Sequence, residues 1–535
     1  MTWTSRSGTE IRDLVPSEAR RRWVRDGHCP GRDLYTLFRA RVDAHPRREA
    51  VIDDERTLDY AALDREVRRI ASALTAAGVR DRDIVGIRLP NGWRAVVTEL
   101  AVAAIGAVAL PYPAGRGIRD TAALLGKSRA AAAVFGSTSD ADGTTCLPDL
   151  RVVRTFGAGE DGPRSLDTAP AGAWQPPAID PEAPVRILVT SGSEAEPKMI
   201  AYSHDAMAGG RANYVRALHD GSDPVRALMM MPLSSSYGSC ATHVSIAALG
   251  STLVLMDRFD PVTALRLVRE HRPTHLFGVP TMLRRLAEHP PGPDEDNTCL
   301  RTVVSSSAPL SEVTADACAR RLRARVISVY GSSDGINCHT ARTGLDGSAG
   351  LPDPAVAQLR IVAPDGRPLP PGDPGEICAR GPMTPLSYVA APDLDARYRT
   401  RDGWVRSGDR GVLDGQGRLH VLGRLKQVVV RGGHNISPAE VELEIRAHPA
   451  IVDVACVAVP DDDLGERLCA CVSLAAGSAE LQLPALTAFL QARGLERRKL
   501  PEALVVLPEL PLAPTGKVCR RTVTAIAVHR AVPVP

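Results

Sequence analysis

The chain has 535 residues, of which 44% are hydrophobic and 24% are charged, and its 65 basic and 62 acidic residues leave a formal charge of +3. So close a balance argues against a dedicated nucleic-acid-binding protein, which would carry a concentrated basic excess. A chain of this length exceeds what one hydrophobic core fills, so we expect two or three domains.

The sequence shows no sign of export or membrane insertion. Its first residues lack the apolar core and the small-residue cleavage site of a secretory signal. The longest apolar stretch, Ala101–Leu110, is interrupted by Gly106 and is too short to span a bilayer. Eleven scattered cysteines without a CxxC pair are typical of free thiols in a reducing compartment. We expect a cytoplasmic protein with neither a membrane nor a nucleic acid as partner.

Short apolar runs alternate with longer amphipathic segments over the first 330 residues. The short runs predict strands at Ala50–Ile52, Ile84–Leu89, Ile187–Thr190, Ala227–Met231, Thr252–Leu255, His275–Val279, Thr302–Ser305 and Val326–Tyr330. The longer segments predict helices at Leu63–Ala77, Arg94–Ile105, Asp205–Leu218, Val262–Glu270 and Glu312–Arg321. This alternation predicts an α/β fold with helix-covered, mostly parallel sheets, in which ligands bind at the carboxyl ends of strands.

The pattern changes along the rest of the chain. Two segments rich in Gly, Pro, Asp and Ser, Gly136–Pro184 and Pro290–Asn297, are typical of surface connections. After about Ala355, short strands separated by Pro and Gly predict a small β-rich subdomain. From Gln427 a compact α+β domain is predicted, beginning with a strand and continuing with a helix, two strands and a helix at Pro438–Ala447, Val452–Val459, Leu468–Leu474 and Pro484–Arg493.

The segment Thr190–Lys198 follows a predicted strand and precedes a predicted helix. Its small hydroxyl and glycine residues let backbone N–H groups approach an anion, and its lysine supplies a movable positive charge. The segment therefore suits a polyphosphate, with an ordinary turn as the alternative. The P-loop pattern of nucleotide-binding proteins is absent.

Two further segments combine Ser, Gly and Asp. In Val329–Gly335, Asp334 is placed to hold Mg²⁺ against a nucleotide, and Ser333 is placed to donate to a phosphoryl oxygen. In Ser407–Asp409 a carboxylate is available for two adjacent ribose hydroxyls. Taken alone, each segment is more typical of a turn with local side-chain bonds.

Basic residues stand in two glycine-containing segments near the C-terminus. These are Gly423–Lys426 with Arg431–Gly433, and Pro514–Lys517. Each is typical of a turn with a solvated base. Arginine provides 60 of the 65 basic residues, however, so the five lysines are candidates for roles that need a compact ammonium group; they are Lys127, Lys198, Lys426, Lys499 and Lys517.

The five segments, in this order and at these separations, resemble the adenylate-forming superfamily. The superfamily includes acyl-CoA synthetases, adenylation domains of nonribosomal peptide synthetases, stand-alone aryl acid–AMP ligases and luciferases. The resemblance runs from about Asp33 to Arg521. It implies an N-terminal adenylation core, residues 1–425, and a mobile C-terminal domain, residues 426–535, with a hinge near Lys426 and the active site between them.

The resemblance also implies a role for each matching residue. Lys517 would bridge the substrate carboxylate and the α-phosphate, Asp334 would bind the metal, and Ser333 would contact a phosphate. Residues implied in ATP or AMP binding are Thr190, Ser191, Gly192, Ser193, Lys198, Ser307, Ala308, Tyr330, Gly331, Asp409 and Arg424. Residues implied in acid binding are Ser235, Ser236, Tyr237, Ala241, Ser306, Gly331 and Asn337. Gly432 and Gly433 would line the thiol tunnel.

The implied reaction uses ATP and Mg²⁺. A carboxylate is a poor nucleophile toward an anionic triphosphate, so Lys517 and Mg²⁺ would neutralise the repulsion during attack at the α-phosphorus. Acyl-AMP and pyrophosphate would result. After a rotation of the C-terminal domain, the acyl group would pass to the phosphopantetheine thiol of a carrier protein, or of CoA.

Several residues favour the aryl acid–AMP ligase branch, among them Met199-Ile200 and the N-terminal segment Arg22–Gly27. Ser235 and Ser236 stand where ligases for 2-hydroxybenzoates usually have His and Asn. Ala241 stands where a dihydroxybenzoate ligase has Ser, and Asn337 adds a polar group. A changed set of hydrogen-bonding groups changes the acid that is accepted. We expect a substituted benzoate other than 2,3-dihydroxybenzoate, with simple packing of Ser236 and Asn337 as the alternative.

Two departures from the superfamily pattern affect ATP use. Glu194-Ala195 stands where Thr-Gly is nearly always found, and Asp334 replaces the usual Glu. A catalytically impaired nucleotide-binding protein is therefore an alternative, against which the retention of Lys517, Asp409 and Arg424 argues. Within the fold, a CoA ligase and an enzyme with an amine acceptor are further alternatives.

Overall fold

The computed structural model describes residues 2–141, 144, 146–157, 164–190, 198–221, 223–425, 427–431, 434–461, 464–475, 477–513 and 517–531. The strands are β1 (Thr2–Thr4), β2 (Glu10–Arg12), β3 (Glu49–Ile52), β4 (Thr57–Asp59), β5 (Ile84–Arg88), β6 (Val108–Pro111), β7 (Ala132–Phe135), β8 (Val152–Thr155), β9 (Pro184–Thr190), β10 (Lys198–Ser203), β11 (Arg226–Met229), β12 (Thr252–Leu255), β13 (His275–Gly278), β14 (Thr302–Ser306), β15 (Arg325–Gly331), β16 (Asn337–His339), β17 (Gln358–Val362), β18 (Gly375–Arg380), β19 (Val405–Leu413), β20 (Leu419–Arg424), β21 (Val429–Arg431), β22 (His434–Ile436), β23 (Ile451–Asp461), β24 (Gly465–Leu474) and β25 (Ala503–Val506).

The α-helices are α1 (Ser17–Arg25), α2 (Leu34–Ala44), α3 (Tyr60–Ala76), α4 (Trp93–Ile105), α5 (Ile118–Ser128), α6 (His204–Ala206), α7 (Ala212–Ala217), α8 (Pro261–His271), α9 (Pro280–Glu288), α10 (Glu312–Leu322), α11 (Pro392–Tyr398), α12 (Pro438–Arg446), α13 (Leu483–Ala492) and α14 (Arg520–Ala531). Two segments form the wider turns of a π-helix, Met207–Arg211 and Ala241–Ala248.

Two large sheets form the framework of the N-terminal domain. One has six strands in the order β10-β9-β6-β5-β7-β8, and the other has eight in the order β16-β15-β14-β13-β11-β12-β3-β4. Within them, only the edge strands β10, β16 and β4 pair antiparallel. The predicted α/β architecture with mostly parallel sheets is therefore confirmed.

The main core joins both sheets to the helices around them. Helix α4 is buried at nearly every position, as expected for a helix that is apolar on all sides. Its apolar side chains belong to the same buried cluster as residues of α2 and α3 and of strands from each sheet. The site-bearing loops are thus anchored on a rigid, close-packed interior.

The structure confirms the predicted strands and helices except the continuous helix Asp205–Leu218, and it corrects four details. Gly106, at φ +79°, ends α4, so Ala101–Leu110 is a helix end followed by β6. Strand β8 pairs with β7, so Gly136–Pro184 is more than a surface connection. Strands β7 and β10 were not predicted, and Thr190–Lys198 consequently joins two antiparallel strands rather than a strand and a helix.

The fourth correction concerns the predicted helix Asp205–Leu218, which is interrupted by the π-helical turns. Two glycines explain the interruption. A β-carbon on Gly210 would lie 2.0 Å from the Met383 nitrogen, and one on Gly209 would lie 2.7 Å from the His28 oxygen. Neighbouring backbone can approach this closely only where the side chain is absent.

The remaining strands form a two-stranded sheet, β1-β2, and two larger units. Strands β17 to β20 make an antiparallel sheet, which confirms the β-rich subdomain. In the C-terminal domain β22-β21-β24-β23, with β25 beside β24, pack with α12, α13 and α14, which confirms the α+β prediction. All eleven cysteines are free. Within the described ranges, no helix is long and apolar enough to cross a membrane.

Ion pairs connect the C-terminal domain to α9. Arg284 pairs with Asp453, and Arg285 pairs with Glu509 at 2.7 Å. Arg284 also lies 3.6 Å from Glu509. These ion pairs link α9 of the N-terminal domain to the C-terminal domain. The predicted hinge residue, Lys426, lies outside the described residues.

Candidate active site

The ends of the predicted phosphate segment are held together by strand pairing. Thr190 closes β9 and faces Lys198, the first residue of β10. The Lys198 ammonium lies 4.3 Å from the centre of the Tyr398 ring, a cation–π contact that directs it along one wall of the site. Ser191, Gly192, Ser193 and Glu194 lie outside the described residues.

Two tyrosines hold the segment that follows β15. The Tyr388 hydroxyl donates to the Asp334 carboxylate, and the Tyr202 hydroxyl donates to the Ser333 carbonyl at 2.7 Å. Burial and the Asp334 charge raise the pKa of Tyr388, so this hydroxyl keeps its proton. The local turn bonds that the sequence suggested are also present, since the Asp334 nitrogen donates to Ser332 Oγ at 3.2 Å.

Asp409 is buried and already paired on both carboxylate oxygens. Its Oδ2 accepts from the Tyr330 hydroxyl at 2.6 Å, and its Oδ1 pairs with Arg424 Nε at 2.8 Å. Burial raises the pKa of Asp409, while Arg424 and Tyr330 act in the opposite direction. Each oxygen has a second lone pair, so the carboxylate still has room for two hydroxyl donors.

Lys517 reaches this cluster from the C-terminal domain. The pKa of Lys517 is lowered, mainly because surrounding protein removes solvent from its ammonium group. The Arg424 charge lowers the pKa further, and the Asp409 charge raises it. The residue still has an exposed surface. A hydrogen bond of 2.7 Å from the Ala513 nitrogen to the Lys517 carbonyl anchors its backbone. The structure therefore brings together three residues predicted from distant motifs: Asp409, Arg424 and Lys517.

Two buried arginines support the segment Leu233–Ala241, which we call the acid segment. Arg186 pairs with Glu99 and donates to the Leu233 carbonyl at 2.8 Å. Arg211 donates to Ser239 Oγ at 3.0 Å and to the Ser236 carbonyl at 3.3 Å. Further along the segment, the Tyr237 hydroxyl donates to the Val304 carbonyl at 3.0 Å.

The acid segment faces the end of the eight-stranded sheet. Gly331 pairs with Asn337, and Val329 pairs with His339, so these four residues share one face. Ser306 pairs with Val329 and donates to its carbonyl at 3.0 Å. Tyr237 is the residue of the acid segment with a described bond to this sheet, through the Val304 carbonyl, and the grouping of Ser235, Ser236, Tyr237 and Ala241 with Ser306, Gly331 and Asn337 in one binding site stays a prediction.

Three polar side chains at this face have atoms without partners. Asn337 is 4% exposed, and its Oδ1 atom has no hydrogen-bond partner among the described residues. The Tyr214 hydroxyl and both ring nitrogens of His339 likewise have no hydrogen-bond partner among the described residues. The centres of the Tyr214 and His339 rings lie 6.2 Å apart. Burial lowers the pKa of His339 to about 4, so the ring is neutral.

Ser307 and Ala308 connect the acid side to the nucleotide side. Ser307 has φ +79°, a left-handed backbone conformation that non-glycine residues rarely adopt. Ala308 is exposed. Strained backbone of this kind is concentrated at binding sites, where the surrounding structure holds it in place.

Sequence reasoning missed Tyr202, Tyr388 and Arg211. The two tyrosines act on residues 131 and 54 positions away, so no local pattern reveals them. Arg211 follows Gly209-Gly210, an unusual pair inside a predicted helix, which was the available signal. The expected thiol-tunnel residues Gly432 and Gly433 lie outside the described residues.

Comparisons with known proteins place this site in a family. The sequence model of the AMP-binding enzyme family matches residues 38–389, and that of the AMP-binding enzyme C-terminal domain matches residues 440–517. The chain belongs to the AMP-binding enzymes, the adenylate-forming superfamily. It is an acid–AMP ligase, which uses ATP to activate a carboxylic acid as its acyl-adenylate.

Individual relatives differ in what their names say of the acceptor. The chain is 33% identical to feruloyl-CoA synthase of Amycolatopsis sp over 92% of its length and 98% of the relative's. It is 30% identical to salicyl-AMP ligase / salicyl-S-ArCP synthetase of Mycobacterium tuberculosis over 93% and 91%. The amide bond synthetase McbA of Marinactinospora thermotolerans has a solved structure similar to this chain, with TM-score 0.82, 30% identity, and coverage of 92% and 99%.

Proposed function

We propose that the protein activates a substituted benzoic acid and passes the acyl group to the phosphopantetheine thiol of a carrier protein. The observation that carries the choice of acid is the composition of the face between the acid segment and the sheet. Gly331 has no side chain and Ala241 has a small one, so both leave space at this face. Tyr237 contributes a flat aromatic ring. This composition suits a planar aromatic ring better than a flexible chain.

The unpartnered polar groups point to a substituent on that ring. A buried acceptor without a donor is costly, and a ligand that supplies the donor removes the cost. Asn337 Oδ1 lies at the face where the ring would bind and lacks such a donor. An amino or hydroxyl substituent would satisfy it, and an acid without one would be rejected. The names of the feruloyl and salicyl relatives agree with an aromatic acid.

The described side chains suggest how the first step proceeds. Asp409 accepts the ribose hydroxyls on its remaining lone pairs, and Lys198 holds the phosphates at the base of their segment. Lys517 approaches the α-phosphate from the C-terminal domain. A carboxylate oxygen of the acid attacks the α-phosphorus, the new oxygen–phosphorus bond forms, and the bond to the leaving pyrophosphate breaks. Positive charge from Lys517 stabilises the transition state.

The residues present fit a Mg²⁺ ion that arrives with ATP. Mg²⁺ binds through one or two carboxylates together with substrate phosphates and waters. Asp334 offers one half-buried carboxylate, and the described residues contain no cluster of three or more His, Cys, Asp or Glu side chains that would suggest a separate metal. The ion would neutralise phosphate charge, while Tyr388 holds the orientation of Asp334.

The names of two relatives support two different acceptors for the acyl group, a carrier protein and CoA. The salicyl relative is named for transfer to a carrier protein, ArCP, which supports the carrier-protein thiol. The feruloyl relative, at 33% identity, is named for CoA and supports an aryl-CoA ligase. Both acceptors share the same first step and the same terminal thiol.

An ATP–pyrophosphate exchange screen over benzoic, heteroaryl and aliphatic acids tests the choice of acid. We expect exchange with substituted benzoates and none with aliphatic acids. Exchange confined to aliphatic acids would contradict the aromatic assignment, and exchange with no acid would favour an impaired nucleotide-binding protein. Incubation of the best acid with CoA and with a holo carrier protein, followed by mass measurement of the thioester, then separates the two acceptors.

A further inference from the structure

Arg399 is buried without a partner. It is 9% exposed, and its Nε, Nη1 and Nη2 atoms have no hydrogen-bond partner among the described residues. Other buried arginines in the chain are bonded: Arg20 makes two bonds to Asp13, at 3.0 and 2.9 Å, and Arg186 pairs with Glu99. An unpaired buried guanidinium is costly, so the charge at Arg399 requires an explanation.

The surroundings of Arg399 place it directly behind the phosphate side of the site. Its guanidinium carbon lies 6.0 Å from the centre of the Tyr388 ring, and the hydroxyl of that ring holds Asp334. Burial raises the pKa of Tyr202, whose hydroxyl donates to the Ser333 carbonyl, and the Arg399 charge is among the groups that act in the opposite direction. The preceding residue, Tyr398, contacts the Lys198 ammonium.

The acids near Arg399 do not take the place of a partner. Helix α11, which ends just before Arg399, carries the exposed Asp393 and the buried Asp395, and Asp395 Oδ1 accepts from the Tyr388 nitrogen at 2.9 Å while its Oδ2 faces Arg12 at 3.5 Å. Asp334 is bonded to the Tyr388 hydroxyl. Neither forms an ion pair with Arg399 in the part of the chain that the structure describes. Asp395 is nevertheless close enough for the Arg399 charge to oppose the effect of burial, which raises the pKa of that carboxyl. Arg399 therefore has a nearby acid but no direct hydrogen bond to it.

We propose that Arg399 is a positioning residue whose charge is balanced by the polyphosphate of ATP. The β- and γ-phosphates bring negative charge to a guanidinium that has no direct acceptor among the described residues, and the guanidinium acts on them past Tyr388 and Tyr202. A fixed charge in a water-poor environment acts strongly over such distances. The same charge would retain the pyrophosphate product. The proposal rests on ATP binding and is independent of which acid is used.

Binding measurements on the full-length chain test this assignment without relying on activity. In Arg399→Met, which removes the charge and keeps the length, we expect about tenfold weaker binding of MgATP and of magnesium pyrophosphate by calorimetry. Binding of AMP should be unchanged, because AMP lacks the β- and γ-phosphates. Arg399→Lys, which keeps the charge, should retain most of the MgATP affinity.

The thermal unfolding midpoint without nucleotide provides the second readout. Arg399→Met should keep the wild-type midpoint or exceed it, because no internal bond is lost. The matched control is Arg20→Met, which breaks a buried pair and should lower the midpoint while leaving the MgATP affinity unchanged. A lowered midpoint or failure to fold in Arg399→Met would show an internal partner and overturn the proposal. Equal losses for AMP and MgATP would overturn it as well.

Discussion

The nucleotide side and the acid side of the site differ in how far their polar groups are already bonded. On the nucleotide side, Asp409 is paired with Tyr330 and Arg424, and Asp334 accepts from Tyr388. On the acid side, Asn337, His339 and Tyr214 carry buried atoms without described partners. The first side is organised before its ligand arrives, and the second leaves bonds for its ligand to complete. The difference suggests that nucleotide binding is general and that acid selection depends on the open bonds.

The largest effect is expected from Lys517→Ala, on the nucleotide side. Loss of its positive charge should reduce acid-dependent ATP–pyrophosphate exchange by about a thousandfold, the scale of removing one preorganised stabilising group. Thioester formation from supplied acyl-AMP should be spared, because that step no longer involves the α-phosphate attack. Lys499→Ala is the matched control: Lys499 pairs with Glu440 at 2.6 Å within the same domain. Equal loss of both steps in Lys517→Ala would contradict its assignment to adenylation.

A pH experiment tests whether His339 on the acid side is held neutral and without a hydrogen-bond partner. The pKa of His339 is lowered by burial to about 4 in the folded chain, against 6.5 when unfolded. Stability from this residue is therefore complete above pH 6.5 and is lost as pH falls toward 4. Between pH 7 and pH 5 the loss amounts to about 2 kcal/mol. Urea unfolding at both pH values measures this. Between pH 7 and pH 5, the free energy of unfolding of His339→Gln should fall by about 2 kcal/mol less than that of the wild type.

Two features of the chain bear on this pH measurement. His204 and His275, whose pKa values are also lowered to about 4, add to the wild-type loss, and Asp205, whose pKa is raised to about 6, opposes it. None of these contributions changes in the variant. His45→Gln, at an exposed histidine, serves as control and should keep the wild-type pH dependence. An unchanged dependence in His339→Gln would mean that the ring is not held neutral and open.

Asn337→Val tests the acid side through substrate preference. The wild-type enzyme should favour amino- or hydroxybenzoates over their methyl isosteres, and the variant should reduce that ratio of kcat/KM by ten- to a hundredfold, because an unmet buried polar group penalises the wrong acid. A ratio measured within one enzyme is insensitive to partial unfolding. Asn213→Val is the matched control, since that amide donates to the His28 and Ala355 carbonyls at 2.8 Å.

The outcomes separate two errors. If wild-type enzyme uses methylbenzoates as well as aminobenzoates, the inference from Asn337 is wrong while the aromatic assignment stands. If no benzoate supports exchange, the aromatic assignment itself fails. A ratio reduced equally in Asn213→Val would indicate a general effect of packing.

The smallest effect is expected where the two sides meet, at Ser307. Its left-handed backbone, at φ +79°, is adopted by glycine without penalty. Ser307→Gly should raise the free energy of unfolding by about 1 kcal/mol, measured by urea titration. Ser306→Gly, in a strand and losing its bond to Val329, should lower it instead. Destabilisation by Ser307→Gly would mean that its side chain contributes more than the backbone strain costs.

Much of the fold follows from local patterns, because its strands and helices are short and strongly periodic. The strands that escaped prediction are informative. Strand β6 directly follows an apolar helix, so one continuous hydrophobic run hides the boundary at Gly106. Strand β10 begins at Lys198 after a polar segment, where the pairing with β9 rather than any local preference defines it. Tertiary pairing, which a single segment does not encode, determined both.

The candidate site divides in the same way. Asp409, Arg424 and Lys517 were predicted because each stands in a short motif, and the structure brings them together. Tyr202, Tyr388 and Arg399 stand in no motif and act on residues far along the chain. Their contribution depends on where α11 and β10 place them, which only the assembled sheets reveal. Motifs thus predicted the candidate site residues, and the structure was needed to find the side chains that contact them.

The ion pairs of α9 also have a consequence for how the two domains stay together. Arg284 and Arg285 meet Asp453 and Glu509 across the boundary, so charge supplies several of the described side-chain bonds there, beside the neutral bond from Ser437 Oγ to the Leu422 carbonyl. Dissolved salt weakens attraction between charges that are exposed to solvent, whereas it does not weaken apolar contacts in this way. We therefore expect a rise in salt concentration to weaken the contact between α9 and the C-terminal domain.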